Sequence, residues 1–199
     1  MKYLSIFFLI LLFSCHSREE KNNTISFEIS KAVHVKMTFE RLCEFENNKE
    51  KKKELIFFLK SLDIDSNPGF IGWRINKSKQ QILDDFIEEN RSELLLDKHH
   101  SFLWKKEKND ILLFQKNDKE TLDLTKAITS YIFNNNSIEI NIIPEGIKAL
   151  RTYNLQGINK TFLLQINKKL ISVATGLGDF KDGTLKIKNI DSKTINEIK

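Results

Sequence analysis

The sequence predicts an α+β fold, with an antiparallel sheet of short hairpin strands and helices segregated from it. Seven β-type runs follow residue 100, and polar turns separate them. Helical periodicity occurs in its own blocks, mainly between residues 39 and 95. Strands in short hairpins, with the helices grouped apart from them, indicate the α+β class.

The N-terminus has the features of an export signal. Met1-Lys2 is a positively charged start, and Tyr3 to Phe13 is an almost unbroken apolar run. A bilayer core takes about 20 residues to cross, so this run is too short to span it, but it has the length of a signal h-region. Residues 1–14 are therefore predicted to be a signal peptide.

The segment Leu12-Phe13-Ser14-Cys15 resembles the lipobox of bacterial lipoproteins, although Phe13 is bulkier than usual. The resemblance implies a diacylglyceryl thioether on Cys15, cleavage before it and acylation of the new amine. Each buried methylene of such chains contributes about 0.8 kcal/mol to anchoring. We expect a lipoprotein of the cell envelope, on the periplasmic side or the cell surface. An ordinary signal peptide with a chance cysteine, or an uncleaved anchor, is the alternative.

Residues 15–24 are polar and lack apolar periodicity, which is typical of a flexible tether. The formal net charge of +5 comes from interspersed residues, so it indicates a solvated lysine-rich surface, and no nucleic-acid partner is expected. If Cys15 carries lipid, Cys43 is the remaining cysteine, and no internal disulfide forms. We expect Cys43 to be a small buried hydrophobe.

Residues 25–98 are predicted to form an α+β region for which the sequence favours no particular fold. Alternation over Ile25–Met37 predicts one long strand or two short ones, and 39–62 is mostly helical. The run Lys51–Lys53 is interpreted as a solvated helix face, with a lipid-headgroup patch as the alternative. Ser78–Gln81 has the spacing of a capping box and opens a helix of about 18 residues.

The β-type runs of the second half lie at Ser101–Lys105, Ile111–Gln115, Ile128–Phe133, Ile138–Ile143, Thr161–Ile166, Leu170–Ala174 and Thr184–Lys188. One helix interrupts them. Pro144 suits its first turn because proline lacks the N–H that has no partner there, and Glu145 complements the helix dipole.

Five segments of the second half occur in an order known from one family: Ile143–Leu150, Gly157–Lys160, Phe162–Ser172, Asp182–Ile187 and Ser192–Ile198. They resemble, in order, the T-P-E-G-A-K-K-F segment, the N-x-G-K/R turn, the L-A-I-V-L-D-G-K-V-I-S hairpin, the G-G-x-A-Q-I strand and the T-x-E-E-A helix start of SecD. SecD is the accessory subunit of the bacterial protein-export machinery. The resemblance implies that residues 99–199 form a domain like the head of the first periplasmic domain of SecD.

Two departures from the family limit what the resemblance implies. The proline of the family's S-A-P is missing at Ser172–Ala174, and Asn167-Lys168 replaces the usual Asp-Gly turn. Lysine at a type I′ position predicts a different or wider turn. The sequence also lacks the transmembrane helices that carry proton coupling in SecD. We therefore expect a shared fold and surface rather than a motor activity.

No catalytic constellation stands out, so an enzyme, a cofactor, a metal and a small-molecule substrate are not expected. The adjacent His99 and His100 point in different directions, and no third ligand is suitably spaced. Asp84-Asp85 and Glu88-Glu89 fit a solvated helix face. A hydrolase whose site is assembled from distant residues is the alternative, and a deep pocket with convergent carboxylates would favour it.

The expected function is non-catalytic binding in the cell envelope. By resemblance, the ligands would be unfolded exported polypeptides or the Sec translocon, bound by addition of a strand to an open sheet edge. The candidate edge is Leu170–Ala174, and Ile171 is its candidate binding residue.

A second hypothesis is a lipoprotein of the immunity or inhibitor type, which binds one specific partner protein and blocks or regulates it. Phe70, Trp73 and Phe180 lie in loop-like segments and are its candidate anchors. Ordinary hydrophobic packing is the alternative for these three residues.

Overall fold

The chain forms helices and antiparallel strands, which confirms the predicted α+β class. The computed structural model describes residues 25–62, 64, 71–94, 99–107, 109–156, 160–177 and 182–199. Its first elements are β1 (Phe27–Val33), α1 (Val35–Phe45), α2 (Lys49–Ser61), β2 (Trp73–Asn76), α3 (Gln80–Glu89) and α4 (Arg91–Leu94). There follow β3 (His100–Lys106), β4 (Asp110–Asn117), β5 (Leu122–Asp123), β6 (Ile128–Phe133), β7 (Ser137–Ile142), α5 (Pro144–Leu155), β8 (Phe162–Ile166), β9 (Lys169–Ala174), β10 (Thr184–Lys188) and α6 (Ser192–Ile198).

The larger of two antiparallel sheets has the strand order β2-β4-β1-β8-β9. Strands β2 and β1 pair with successive parts of one edge of β4, and β3 pairs along its opposite edge. Strand β5 pairs with β1. Strand β1 joins β8 along the register from Phe27↔Ile166 to Lys31↔Phe162. The smaller sheet has the order β10-β7-β6.

Strand β1 thus links the two regions predicted from the sequence, 25–98 and 99–199. It pairs with β4, β5 and β8, all of which come from the second region. Alternation in the sequence locates β1, but pairing with distant strands leaves no local signal. The boundary at residue 98 therefore runs through one hydrogen-bonded sheet.

Different partners cover different parts of the outer face of the larger sheet. Phe27 on β1 and Leu164 on β8 belong to a core shared with the smaller sheet, α5 and α6. Trp73 on β2 and Leu113 on β4 belong to a second core shared with α1 to α4. The helices of the N-terminal part and the elements of the C-terminal part therefore pack against one common sheet.

The opposite face of the larger sheet carries a third apolar cluster. It consists of Ala32, Leu112, Phe114, Leu163 and Leu170, and therefore draws on β1, β4, β8 and β9. Strands β3 and β9, at the two ends of the sheet, approach each other within 8 Å between Cα atoms. The sheet thus curls around the third cluster. In the described chain no ladder joins β3 to β9, and we call the gap between them the seam.

The strand predicted over Ile25–Met37 ends earlier than expected. Helix α1 begins at Val35, and its buried residues Val35, Phe39 and Leu42 follow helical spacing. The apolar pattern of this short stretch fits both the two-residue period of a strand and the 3.6-residue period of a helix. Burial against the second core favours the helix. Further along, Asn76 rather than Ser78 caps the turn before α3, because its Oδ1 accepts from the Ser78 N–H at 2.9 Å.

The β8–β9 turn is tighter than the sequence predicts. Asn167 and Lys168 both have positive φ, 50° and 65°, as a type I′ turn requires. Asn167 also accepts from the Ser26 N–H at 3.0 Å and donates to the Ile198 carbonyl at 3.2 Å. These bonds to both ends of the domain hold the turn although lysine disfavours positive φ. The expectation of a different or wider turn is therefore wrong.

Candidate functional site

The candidate site is a cleft beside α6, lined by residues of both strands that flank the seam. The cleft has a volume of about 560 Å³ and is bounded by the end of β3, the start of β9 and residues between 189 and 197. We call it the seam cleft. It brings together parts of the chain that are far apart in sequence, because the curled sheet places β3 beside β9.

The floor of the seam cleft is apolar and its wall holds an aromatic ring. Leu170, Ile171 and Ile190 are each at most 4% exposed. Trp104 lies in the wall, and its Nε1 donates to Asp84 Oδ1 at 2.6 Å. Burial raises the pKa of Asp84, although this hydrogen bond opposes the shift. The bond fixes the indole ring, so the cleft offers a rigid apolar surface to a ligand.

Lysines form the rim of the seam cleft. Lys77, Lys105, Lys106, Lys169 and Lys193 all line it. They come from four separate parts of the chain, so they do not form a basic run in the sequence. Interspersed lysines predicted only a solvated surface, and sequence reasoning missed this grouping.

The three carboxylates of the seam cleft are already engaged. Glu107 pairs with Arg74 at 3.4 Å, Asp191 caps α6 by accepting from the Thr194 N–H at 2.8 Å, and Glu197 pairs with Lys169. Among the residues described, no carboxylate lies within 4 Å of the remaining four lysines of the rim. The cleft therefore carries an excess of positive charge.

Lys169 responds to this environment. Burial lowers its pKa, and repulsion from the nearby Lys106 and Lys193 lowers it further, while Asp191 opposes the shift. Like charges disfavour the protonated amine, so an anionic group placed in the cleft would relieve the repulsion.

Strand β9 is a terminal strand of the sheet, as predicted for Leu170–Ala174. One edge pairs with β8, and the other faces β3 across the seam without ladder pairing in the described chain. The role expected of Ile171 needs correction, because its side chain is 3% exposed and belongs to the core shared with α5 and α6. Its contribution to an edge is therefore limited to its backbone.

Trp73 is not an exposed anchor. It lies on β2, is 4% exposed and packs against Phe39 with ring centroids 4.4 Å apart. Alternation places Trp73 and Ile75 on the same buried face, so ordinary packing accounts for this tryptophan. Its Nε1 has no hydrogen-bond partner within the described parts of the chain.

A second, open depression of about 510 Å³ gathers several carboxylates near the β8–β9 turn. Lys116 bridges Glu28 at 3.4 Å and Asp118 at 3.1 Å, and Ser101 donates to Asp118 at 3.0 Å. Hydrogen bonds from Thr125 lower the pKa of Asp123. Lys116 thus pairs with two of these carboxylates, and Thr125 holds the third, so the depression gives no support to the hydrolase alternative.

Cys43 is half-buried against the second core and is a free thiol. Burial raises its pKa, which favours the unreactive thiol. In the parts of the chain that are described, no three His, Cys, Asp or Glu side chains are arranged to hold a metal ion. None of the described helices is both long and apolar enough to cross a membrane.

The lipidation site Cys15 and the candidate anchors Phe70 and Phe180 lie outside the described residues. Comparisons with known proteins add no relative: no family model matches the chain, and neither a curated protein nor a solved structure is significantly similar to it.

Proposed function

We propose that the protein is a lipid-anchored, non-catalytic binding protein of the cell envelope, and that the seam cleft takes an extended, acidic polypeptide segment. The observation that carries the proposal is the excess of rim lysines over an apolar floor. In this proposal the lysines attract carboxylates of the ligand. The floor and Trp104 accept its apolar side chains.

The open edge of β9 explains why the ligand is extended. A strand with an unpaired edge binds another chain through main-chain hydrogen bonds, which do not depend on the ligand's sequence. β3 lies within 8 Å of this edge between Cα atoms, and a strand inserted between two others needs about 10 Å, so pairing is confined to the residues of β9 that line the cleft. Backbone pairing at this position supplies affinity, and the lysines select for acidic residues.

The SecD resemblance supports exported polypeptides or translocon subunits as ligands, and it belongs to the same proposal. The segments that resemble SecD form a helix from Pro144, a hairpin over 162–174, a strand from Thr184 and a helix from Ser192. Chains that emerge from an export channel are unfolded and expose their backbone. A lipid-anchored domain with an open strand edge suits such ligands.

The alternative of a lipoprotein that blocks one folded partner has less support. Of its three candidate anchors, Trp73 is buried in the second core. The other two lie outside the described residues.

Charge reversal in the rim tests the proposal. The full chain, reconstituted in neutral vesicles, is titrated with an unstructured fluorescent peptide rich in Asp and Glu with spaced apolar residues. We expect the double variant K105E/K106E to weaken binding by about tenfold or more, because rim charges set the attraction. The matched control is K148E, since Lys148 is an exposed lysine on α5, away from the cleft.

A second peptide, in which Asn and Gln replace Asp and Glu, measures how much the peptide's carboxylates contribute to its affinity. The proposal predicts weaker binding of this peptide and no further loss with K105E/K106E. Equal affinity of both peptides for the wild type, or an equal loss with K148E, would contradict the seam cleft as the binding site.

A further inference from the structure

Helix α2 presents an outward face that combines apolar and basic side chains. At 3.6 residues per turn, Lys49, Lys53, Ile56, Phe57 and Lys60 fall within about 100° around the helix axis, so they share one side of the helix. Phe57 is 75% exposed and Ile56 is 39% exposed. The opposite side packs on the second core through Leu55 and Leu62, so the outward face is not needed for folding.

Lysines flank the two exposed apolar residues along α2, and on the side toward α1 the acidic Glu40 and Glu44 share an open depression with Ile56. Lys49 and Lys60 have no ion pair with any residue that the structure describes. Lys53 pairs with Glu50 at 3.0 Å, but both side chains are largely exposed, and such pairs are weak. Leu155 is similarly exposed, at 68%, but lies on α5, the helix that packs in the core shared with the smaller sheet.

An apolar centre flanked by lysines is the pattern of helices that lie on membranes. The apolar side chains enter the boundary between headgroups and acyl chains, and the lysines contact anionic headgroups. Each lysine near such a surface strengthens binding by about fivefold. The charge of this face is therefore complementary to anionic phospholipid.

The length of the tether makes even weak membrane contact effective. Ten residues lead from Cys15 to Ile25, where the described domain begins. Fully extended, they span at most about 35 Å. If Cys15 is lipidated, the domain stays this close to the bilayer, and its second contact with the membrane becomes an intramolecular event.

We propose that the outward face of α2 docks on the anionic phospholipid surface of the membrane that holds the lipid anchor. The inference rests on the proposed lipid anchor but not on the seam cleft. Docking fixes the orientation of the domain, so that the seam cleft has a defined direction relative to the bilayer.

The test uses the full chain, expressed with its signal peptide in bacterial cells, with a photoreactive amino acid at position 57, or at the control position 155. The proteins are reconstituted into vesicles of phosphatidylcholine alone and into vesicles that also contain phosphatidylglycerol. We expect lipid adducts at position 57 to exceed those at position 155 severalfold in the anionic vesicles. The triple variant K49Q/K53Q/K60Q should reduce the adducts at position 57 to the level of position 155.

Flotation of the vesicles distinguishes a missing lipid anchor from a failure of α2 to dock on the membrane. A chain that does not float with either vesicle type lacks the anchor, which overturns the lipoprotein proposal and with it this inference. A chain that floats but gives equal lipid adducts at positions 57 and 155 overturns the docking of α2 alone. Adducts at position 57 to a second copy of the chain, in place of lipid, would also overturn it.

Discussion

At the scale of single residues, close packing explains a glycine that the sequence marks only as part of a motif. Gly146 lies in the first turn of α5, where an added Cβ would lie 2.5 Å from Ile142 Cγ2 and 2.6 Å from Ala127 Cβ. The helix start can approach the smaller sheet this closely only without a side chain at position 146. The glycine after Pro144-Glu145 therefore has a structural role in this chain.

Gly146→Ala should destabilise the protein. Alanine gains about 1 kcal/mol in helix propensity, but overpacking costs about 1–3 kcal/mol, so we expect a net loss of about 1 kcal/mol. Urea unfolding measures the difference. Gly176→Ala is the control, because nothing lies within 4 Å of its added Cβ, and it should change the stability by less than about 0.5 kcal/mol. A stabilised Gly146→Ala variant would contradict the packing explanation.

Tyr153 links α5 to the turn after β4. Its hydroxyl donates to the Glu120 carbonyl, and the residue is 9% exposed. Tyr153→Phe should lower the free energy of unfolding by about 1–2 kcal/mol at neutral pH, because a part-buried hydrogen bond to the Glu120 carbonyl is lost.

The effect of Tyr153→Phe should depend on pH. Burial, and then the charge of Glu120, raise the pKa of Tyr153, so the folded state favours the neutral phenol. Its stabilisation is complete below the ordinary tyrosine pKa of about 10 and is lost as the pH rises further. The difference in unfolding free energy between wild type and variant should therefore shrink above about pH 10. A constant difference would contradict this assignment.

At the scale of elements, the two residues of the β8–β9 turn allow backbone strain and tertiary hydrogen bonds to be tested separately. Lys168 has a φ of 65°, which costs a non-glycine residue of the order of 1 kcal/mol. Asn167 has a similar φ but makes hydrogen bonds to Ser26 and Ile198.

Glycine at these two positions should have opposite effects. Lys168→Gly relieves strain and should stabilise the protein by up to about 1 kcal/mol, whereas Asn167→Gly removes two tertiary hydrogen bonds and should destabilise it by about 1–2 kcal/mol. Thermal unfolding of both variants gives the signs. The same sign for both would show that the turn is governed by one effect alone.

The elements themselves could largely be predicted from the sequence, because their signals are local. The seven β-type runs correspond to β3, β4 and β6 to β10, and Pro144 does start a helix. The switch from strand to helix at Val35 was missed, because a short alternating stretch fits both periods. The seam cleft was missed because its lysines meet only through the curl of the sheet.

At the scale of the whole molecule, β1 makes the two predicted regions interdependent. Phe27 and Ile29 are fully buried in the core shared with α5 and α6. A fragment of residues 99–199 would lack them and would leave an edge of β8 unpaired. We expect this fragment to show no cooperative thermal transition by circular dichroism, whereas residues 25–199 unfold in one. A cooperative transition of the fragment would restore the boundary at residue 98.

The central claim is that the seam cleft holds extended polypeptides at the membrane, and in-cell photocrosslinking tests it most directly. The photoreactive amino acid is placed at Lys106 and Lys193 in the cleft and at Lys148 on α5 as the control. We expect adducts with many different exported chains and with translocon subunits from the two cleft positions, and few from position 148. One dominant folded partner, or equal adducts from all three positions, would contradict it.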